Sequence, residues 1–425
     1  MTIAAGVVQR FLWFSAERGL RLGIAFVVGA AVARHLGPQS YGMIAYGAAT
    51  VAVFSVVFGL GMDAVVVRDL SRDEGNDLAM VGTVVVMRAL SGLLAAVCCV
   101  LYAFLVNLNS EGLRQLLLWQ SLVLLFGWGD IVDAWFQARP QLWRGICLRI
   151  SVCLVAAGIR VFMIFSDAGA YAFVLASVVE SALIATGLWI LFRRSLRGKA
   201  SLTFEMGMAR DVLKRGWPLA LSAGLVTFVL QGDRIILGHL ASAEQVGIYA
   251  ASARFLDVLL ILPMLMGMAV QRLFAQEATR NVDARTVPVR KILTAAHWLA
   301  LVAALLTWLA SQWIMPKVFG ASFREGGAIL AIQSWVVVFV MQVALRTRVL
   351  VAEGSHRLVL LLSLVTAVVQ AGLLPFAIGR AGAIGAAYAT LAAWVCGAWI
   401  APLLFRQTRW FVVAFFRGMV FPFRS

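Results

Sequence analysis

Residues 80–106 read MVGTVVVMRALSGLLAAVCCVLYAFLV, an apolar run whose single charged side chain is Arg88. A helix of about 20 such residues is long enough to cross the hydrocarbon core of a bilayer. Similar runs recur along the whole chain, which is 62% hydrophobic and 13% charged. Soluble domains carry roughly 25% charged residues. The composition therefore predicts an integral membrane protein and leaves little room for a soluble domain.

The hydrophobic pattern predicts twelve transmembrane helices in two groups of six. The predicted lobes are residues 1–195 and 216–406, joined by a basic cytoplasmic linker at 196–215 and followed by an interfacial tail at 407–425. The predicted spans lie near 18–36, 41–62, 80–106, 113–138, 142–165, 169–192, 216–240, 246–270, 291–315, 326–349, 357–379 and 383–405.

The net charge of +16 is a topology signal in a chain of this composition. With the predicted spans, 27 Lys and Arg residues fall on the side of both termini and five on the opposite side. Because cytoplasmic loops carry the excess of Lys and Arg, both termini are expected in the cytoplasm. The same charge favours contact with anionic membrane lipids and does not indicate a nucleic-acid partner.

The chain carries signs of an internal duplication. A shift of 213 residues aligns Gln120-Ser121 with Gln333-Ser334 and Ala168-Gly169-Ala170 with Ala381-Gly382-Ala383. His35-Leu36 before Gly42 similarly parallels His239-Leu240 before Gly247. Each repeat has an even number of spans, so the two halves have the same orientation, and transporters often bind substrate where such halves meet.

A small set of charged residues falls inside the predicted spans. A charge at the centre of a membrane helix costs about 2.5 to 3.5 kcal/mol on insertion scales, so these side chains are expected to face a partner or a polar cavity. They are Arg88, Arg160, Arg234, Arg254, Asp63, Asp130, Asp133, Glu180, Asp233 and Asp257.

Several structural alternatives to a binding role stay open for these charges. Arg254 and Asp257 share a helical face and could form an ion pair, whereas Asp233 and Arg234 point about 100° apart and should have different surroundings. Glu180 has no basic residue at helical spacing and could be protonatable or hydrogen-bonded. The remaining charges could reach water at helix ends, and these are Arg88, Arg160, Asp130 and Asp133.

Residues 31–70, AVARHLGPQSYGMIAYGAATVAVFSVVFGLGMDAVVVRDL, resemble the opening of Wzx-type O-antigen and polysaccharide flippases. DAWFQARPQ at 133–141 and QGDRIILGHLASAEQVGIYAASARFLD at 231–257 extend the resemblance. VAEGSHR at 351–357 and GAIGAAYAT at 382–390 carry it to the last spans. The order of these motifs is similar to that of the multidrug/oligosaccharidyl-lipid/polysaccharide exporter superfamily.

The resemblance implies an all-α fold of two parallel six-helix bundles that alternates access, with a central cavity lined by spans 1, 2, 7 and 8. It implies transport of undecaprenyl-pyrophosphate-linked oligosaccharide across the bacterial inner membrane during lipopolysaccharide or other polysaccharide synthesis. The pyrophosphate requires cations. The candidate substrate-binding residues are Arg234, Arg254, Arg88 and Arg160, and the candidates for ion coupling or support are Asp257, Asp233, Glu180 and Asp63.

No catalytic residue, metal site or cofactor is expected beyond a coupling ion, H⁺ or Na⁺. The expected partners are the lipid-linked oligosaccharide and membrane lipids, and the protein is expected to be a monomer, alone or with polysaccharide polymerase machinery. A cation-coupled multidrug exporter of the same superfamily is the alternative. A membrane polymerase or ligase is disfavoured because every outer loop is short, and no nucleotide-binding motif is present.

Overall fold

A computed structural model describes residues 2–70, 77–106, 111–139, 142–196, 203–267 and 287–420, and these residues are almost entirely helical. The first half contains α1 (Thr2–Phe58), α2 (Met62–Leu70), α3 (Asp77–Leu105), α4 (Glu111–Ser121), α5 (Gly129–Ala138), α6 (Leu142–Phe165) and α7 (Ala170–Ser195). The second half contains α8 (Met206–Leu240), α9 (Ala243–Leu259), α10 (Val287–Phe319), α11 (Gly326–Gln333), α12 (Val336–Ala352), α13 (His356–Val395), α14 (Ala401–Leu404) and α15 (Arg409–Val420).

Ten of the described helical segments are long and apolar enough to cross a membrane. Large apolar side chains are exposed along their outer faces, for example Leu90, Leu94 and Leu101 on α3 and Phe162 and Phe165 on α6. Such faces would be unfavourable in water but suit a lipid environment. The protein is therefore a multi-pass integral membrane protein, as the composition predicts.

The longest of these segments, Glu17–Phe58, is interrupted at Gly37, whose φ of 72° lies in the left-handed region and precedes Pro38. A straight helix would separate Glu17 from Ser55 by about 57 Å. Both halves of α1 nevertheless reach the short helix α5 through polar contacts. These contacts run through Glu17, Arg149 and Asp133 and through Ser55, Arg88 and Asp130. The chain thus turns back at Gly37.

Helix α13 contains a second reversal, at Ala381 and Gly382, where the backbone leaves the helical region. A Cβ atom placed on Gly385 would collide with the carbonyl oxygen of Ala377. Eight residues of straight helix would separate these positions by about 12 Å. Two of the ten segments are therefore hairpins. The number of membrane crossings, twelve, stays a prediction, since length and hydropathy establish only that a helix could cross.

The elements repeat at the offset found in the sequence. Helix α4 ends at Ser121, and helix α11 ends at Gln333, next to Ser334. The connection between α6 and α7 at Gly169 corresponds to the reversal at Gly382. These two turns therefore match at a shift of 213 residues, and the all-helical membrane fold class predicted from the sequence is confirmed.

The chain forms two compact units, Met1–Leu36 with Met43–Thr227, and Gly37–Gly42 with Phe228–Ser425. The lobes at 1–195 and 216–406 stay a prediction, and α8, which begins at Met206, continues through part of the predicted linker. In the second unit, Phe411 and Phe415 of α15 pack in a core with Met341 and Leu345. The segment predicted as an interfacial tail thus contributes to a core.

Candidate functional site

The most buried carboxylate among the predicted site residues is Asp233, on α8 in the second unit. Its side chain is 5% exposed. One carboxylate oxygen accepts a hydrogen bond of 2.5 Å from the Tyr249 hydroxyl, and the other accepts one of 2.8 Å from the backbone N–H of Arg234. The Tyr249 oxygen lies 3.4 Å from Oγ1 of Thr390. Asp233 therefore joins α8, α9 and α13 in a buried polar cluster.

Arg234, the next residue, is half-buried and has different surroundings. Its Nη1 donates a 2.7 Å hydrogen bond to Oε1 of Gln231. The Nε atom is buried and has no hydrogen-bond partner among the described residues. The guanidinium group thus has donors left for a further acceptor.

Arg254 on α9 is also half-buried. Its Nε donates a 3.2 Å hydrogen bond to the hydroxyl oxygen of Tyr41. In the described part of the chain, no carboxylate oxygen lies within the 4 Å ion-pair limit of this guanidinium, so the ion pair considered with Asp257 is not formed. Asp257 is half-buried and likewise has no ion-pair partner among these residues.

Arg160 and Glu180 form an ion pair across α6 and α7 in the first unit, with Nη2 and Oε2 2.7 Å apart. The same nitrogen donates to Oγ of Ser177 at 3.1 Å. Glu180 has no basic residue at helical spacing on its own helix, and its partner lies on the neighbouring helix instead. Arg160 already has a counter-charge within the unit.

Arg88 on α3 is buried and has three internal acceptors. It donates to the backbone oxygens of Gly127 and Ser55 at 3.3 and 3.4 Å, and its Nη2 lies 3.5 Å from Oδ2 of Asp130. Asp63 lies nearby. The acceptors of Arg88 therefore all belong to the first unit.

A buried charge cluster around Arg149 was missed in the sequence. Arg149 is 6% exposed, donates to the Glu17 carboxylate at 3.0 and 3.4 Å, and pairs with Asp133. The 27 Lys and Arg residues counted on the side of the termini include Arg149 and Arg139, and the sequence predicts that Asp133 reaches water at a helix end near Arg139. Arg139 instead pairs with Asp77. The position of Arg149 inside the predicted span 142–165 was the signal that could have revealed the cluster.

Arg346 is another of the 27 Lys and Arg residues counted on the side of the termini, but the structure places it in the core of the second unit. Its Nη1 donates to the carbonyl oxygens of Gly397 and Ala398 at 2.9 and 3.5 Å. Both carbonyls belong to a π-helical turn, Cys396–Ile400. No sequence pattern indicates this contact, because α-helical spacing does not reveal where a helix widens into a π-turn.

A family model described as "Polysaccharide biosynthesis protein" matches residues 7–274. The chain belongs to this family. No curated protein matches the sequence. The family confirms the resemblance found in the sequence motifs.

Solved structures share the fold over nearly the whole chain. A structure titled "Lipid II flippase MurJ, inward closed conformation" has a TM-score of 0.77 at 14% identity and covers 97% of this chain and 92% of its own. An inward-facing multidrug resistance MATE family transporter of the MOP superfamily has a TM-score of 0.66 at 11% identity, with 94% of each chain covered. A MOP superfamily transporter from Pyrococcus furiosus has a TM-score of 0.62 at 13% identity and covers 97% of this chain and 95% of its own.

Proposed function

We propose that the protein is a flippase that moves an undecaprenyl-pyrophosphate-linked oligosaccharide, such as an O-antigen repeat unit, across the bacterial inner membrane by alternating access. Membership of the polysaccharide biosynthesis family supports a polysaccharide-related cargo. The fold shared with a structure titled as a lipid II flippase supports transport of a lipid-linked substrate. The excess of Lys and Arg on one side of the predicted spans supports an orientation with both termini in the cytoplasm.

The observation that carries the proposal is a contrast among the arginines of the helices. Arg88, Arg149 and Arg160 each lie within 4 Å of a carboxylate oxygen. Arg234 and Arg254, on α8 and α9 of the second unit, have no such partner in the residues that the structure describes. A half-buried cation with no carboxylate oxygen within ion-pair distance has donors left for an anion, which gains strong charge-assisted hydrogen bonds there.

A pyrophosphate group fits this arrangement. It offers several acceptor oxygens to the planar guanidinium groups, while the polyprenyl tail stays in lipid. Arg88 and Arg160, which we also considered as ligands from the sequence, have internal partners and are assigned to support. The protein is proposed to act as a monomer in contact with membrane lipids, alone or beside polysaccharide polymerase machinery.

Arg254→Ala and Arg234→Ala should each reduce flipping of a fluorescent undecaprenyl-pyrophosphate-linked oligosaccharide in proteoliposomes by about 10-fold or more. The reason is that a hydrogen bond to a charged group contributes about 1.5 to 3 kcal/mol. Arg254→Lys should retain part of the activity because it keeps the charge. Arg210→Ala, at an exposed position near the start of α8, is the matched control. Wild-type flipping by both alanine variants would reject the proposed site.

The transport cycle is proposed to be coupled to an H⁺ or Na⁺ gradient through Asp257 or the Asp233 cluster. Asp257 is half-buried and has no ion-pair partner among the described residues, so its carboxylate is available for a cation. Glu180 is the weaker candidate because Arg160 already neutralises it.

Asp257→Asn should remove the stimulation of flipping by an imposed pH or Na⁺ gradient, because the amide has nearly the same shape but neither binds a proton nor carries a charge. The measurement is the flipping rate in proteoliposomes with and without each gradient. Glu244→Gln, at an exposed position on the same helix, should leave the stimulation unchanged. If wild-type flipping ignores both gradients, coupling is excluded. If the wild type and Asp257→Asn are both stimulated by a gradient, the Asp233 cluster becomes the candidate.

The fold shared with MATE transporters supports a second candidate, a multidrug exporter. The two functions differ in the charge they require at the site, since cationic drugs need uncompensated carboxylates and a pyrophosphate needs uncompensated arginines. Arg234 and Arg254 favour the flippase, whereas Asp257, which also has no ion-pair partner among the described residues, is the carboxylate that an exporter would use. Uptake of a cationic dye by inside-out vesicles, with no flipping of the lipid-linked oligosaccharide, would favour the exporter.

A further inference from the structure

Residues Gly37–Gly42 follow the reversal in α1 and belong to the second compact unit. This short segment packs backbone to backbone on α9. A Cβ atom on Gly42 would collide with the carbonyl oxygen of Ala243, and one on Gly247 would collide with that of Pro38. Only glycine permits this approach, so the pair Gly42 and Gly247 sets the distance between the segment and α9.

This contact determines where Tyr41 lies. The Tyr41 side chain is 4% exposed, and its ring meets Phe323 edge-on, with 6.3 Å between the ring centroids. Its hydroxyl oxygen accepts the 3.2 Å hydrogen bond from Nε of Arg254. Tyr41 is thus held from two sides, by the segment's backbone and by Phe323, and its hydroxyl reaches one defined atom of the guanidinium.

The choice of that atom has a chemical consequence. A guanidinium group presents its five N–H donors in one plane, and Nε carries only one of them. The hydrogen bond to Tyr41 uses the Nε donor and leaves both Nη groups without a hydrogen-bond partner among the described residues. The free edge of the group is the one that can bind two oxygens of a phosphate at once.

We propose that Tyr41 is a positioning residue for Arg254. It fixes the rotation of the guanidinium plane so that the Nη edge faces the anionic head group of the substrate. The assignment rests on the proposed function, because it concerns how Arg254 binds that group. A long side chain loses rotational freedom when it binds, and fixing it beforehand lowers this cost.

The test measures the dissociation constant for the undecaprenyl-pyrophosphate-linked oligosaccharide with the full-length protein in nanodiscs. Tyr41→Phe removes only the hydroxyl and should weaken binding about 3- to 10-fold, the range of a single net hydrogen bond. In the Arg254→Ala background, Tyr41→Phe should cause no further loss, because residues that act through one another are not additive. A purely structural role of Tyr41 would weaken both backgrounds equally.

Tyr46→Phe is the matched control on the same helix. Tyr46 is buried, and its hydroxyl lies 3.0 Å from that of Tyr102, so this variant also removes one buried hydrogen bond. It should leave the dissociation constant unchanged. An equal loss from Tyr41→Phe in both backgrounds, or no loss in the wild type, would overturn the positioning role alone. Wild-type affinity of Arg254→Ala would overturn the proposed role of Arg254 in binding and the positioning role with it, and wild-type affinity of Arg234→Ala as well would overturn the proposed site.

Discussion

Arg149→Ala should lower the free energy of unfolding by about 3 to 5 kcal/mol, the cost of removing one partner from a buried ion pair. The variant leaves the carboxylates of Glu17 and Asp133 buried without their shared cation. Glu17 is 4% exposed, so water cannot replace the lost interaction, and Glu17 keeps only the ion pair with Arg21 at 3.2 Å among the described residues. Thermal unfolding of the purified protein in detergent micelles, followed by the reactivity of its free cysteines, should show a clear decrease in Tm.

Two controls separate this effect from a general loss of charge. Arg114→Ala removes an exposed ion pair with Glu111 and should change stability by about 1 kcal/mol or less. The triple variant Arg149→Met, Glu17→Gln and Asp133→Asn removes all three charges and should recover much of the lost stability. A Tm of Arg149→Ala equal to that of Arg114→Ala would show that the cluster does not stabilise the first unit.

The second large effect is expected at the contact between Gly42 and Gly247. Gly42→Ala should destabilise the second unit by about 1 to 3 kcal/mol, the typical cost of overpacking, and Gly247→Ala should act in the same direction. The added methyl group meets the backbone of Ala243 or Pro38 and not the end of a flexible side chain. The helices must therefore move apart, and the hydrogen bond between Tyr41 and Arg254 should weaken with them.

Gly23→Ala is the matched control for this pair, because Gly23 also lies in α1 and a Cβ there would meet nothing within 4 Å. Alanine is the better helix former, so this variant should gain up to about 1 kcal/mol. The comparison uses Tm in micelles and the affinity for the lipid-linked oligosaccharide. The packing argument fails if Gly42→Ala and Gly23→Ala shift Tm in the same direction and by the same amount.

Much of the architecture was predictable from local patterns. The apolar run at 142–165 coincides with α6, and the match of Gln120-Ser121 with Gln333-Ser334 anticipated equivalent helix ends in the two halves. These features were accessible because a bilayer requires long apolar helices and a duplication preserves the order of its turns. The start of α8 at Met206 was missed, since a basic stretch is equally compatible with a loop and a helix end.

The candidate site was predictable only as a set of residues. The sequence showed which charges lie in the spans, but it did not show that Arg160 pairs with Glu180 on another helix or that Arg149 draws Glu17 and Asp133 together. Ion pairs between helices depend on how each helix is rotated about its axis and on how deep each residue lies in the membrane. Helical spacing describes only neighbours on one helix. For this reason the structural alternatives stayed open for most of the charges.

By itself, the sequence determined that the chain crosses a membrane many times, that its halves repeat, and that a few arginines and carboxylates lie among apolar residues. These properties follow from composition and spacing, which the bilayer constrains directly. Only the tertiary structure decided which arginines are neutralised. Contacts between helices satisfy Arg88 and Arg160, leave Arg234 and Arg254 without a carboxylate at ion-pair distance among the described residues, and bring Tyr41 to Arg254 across 213 residues.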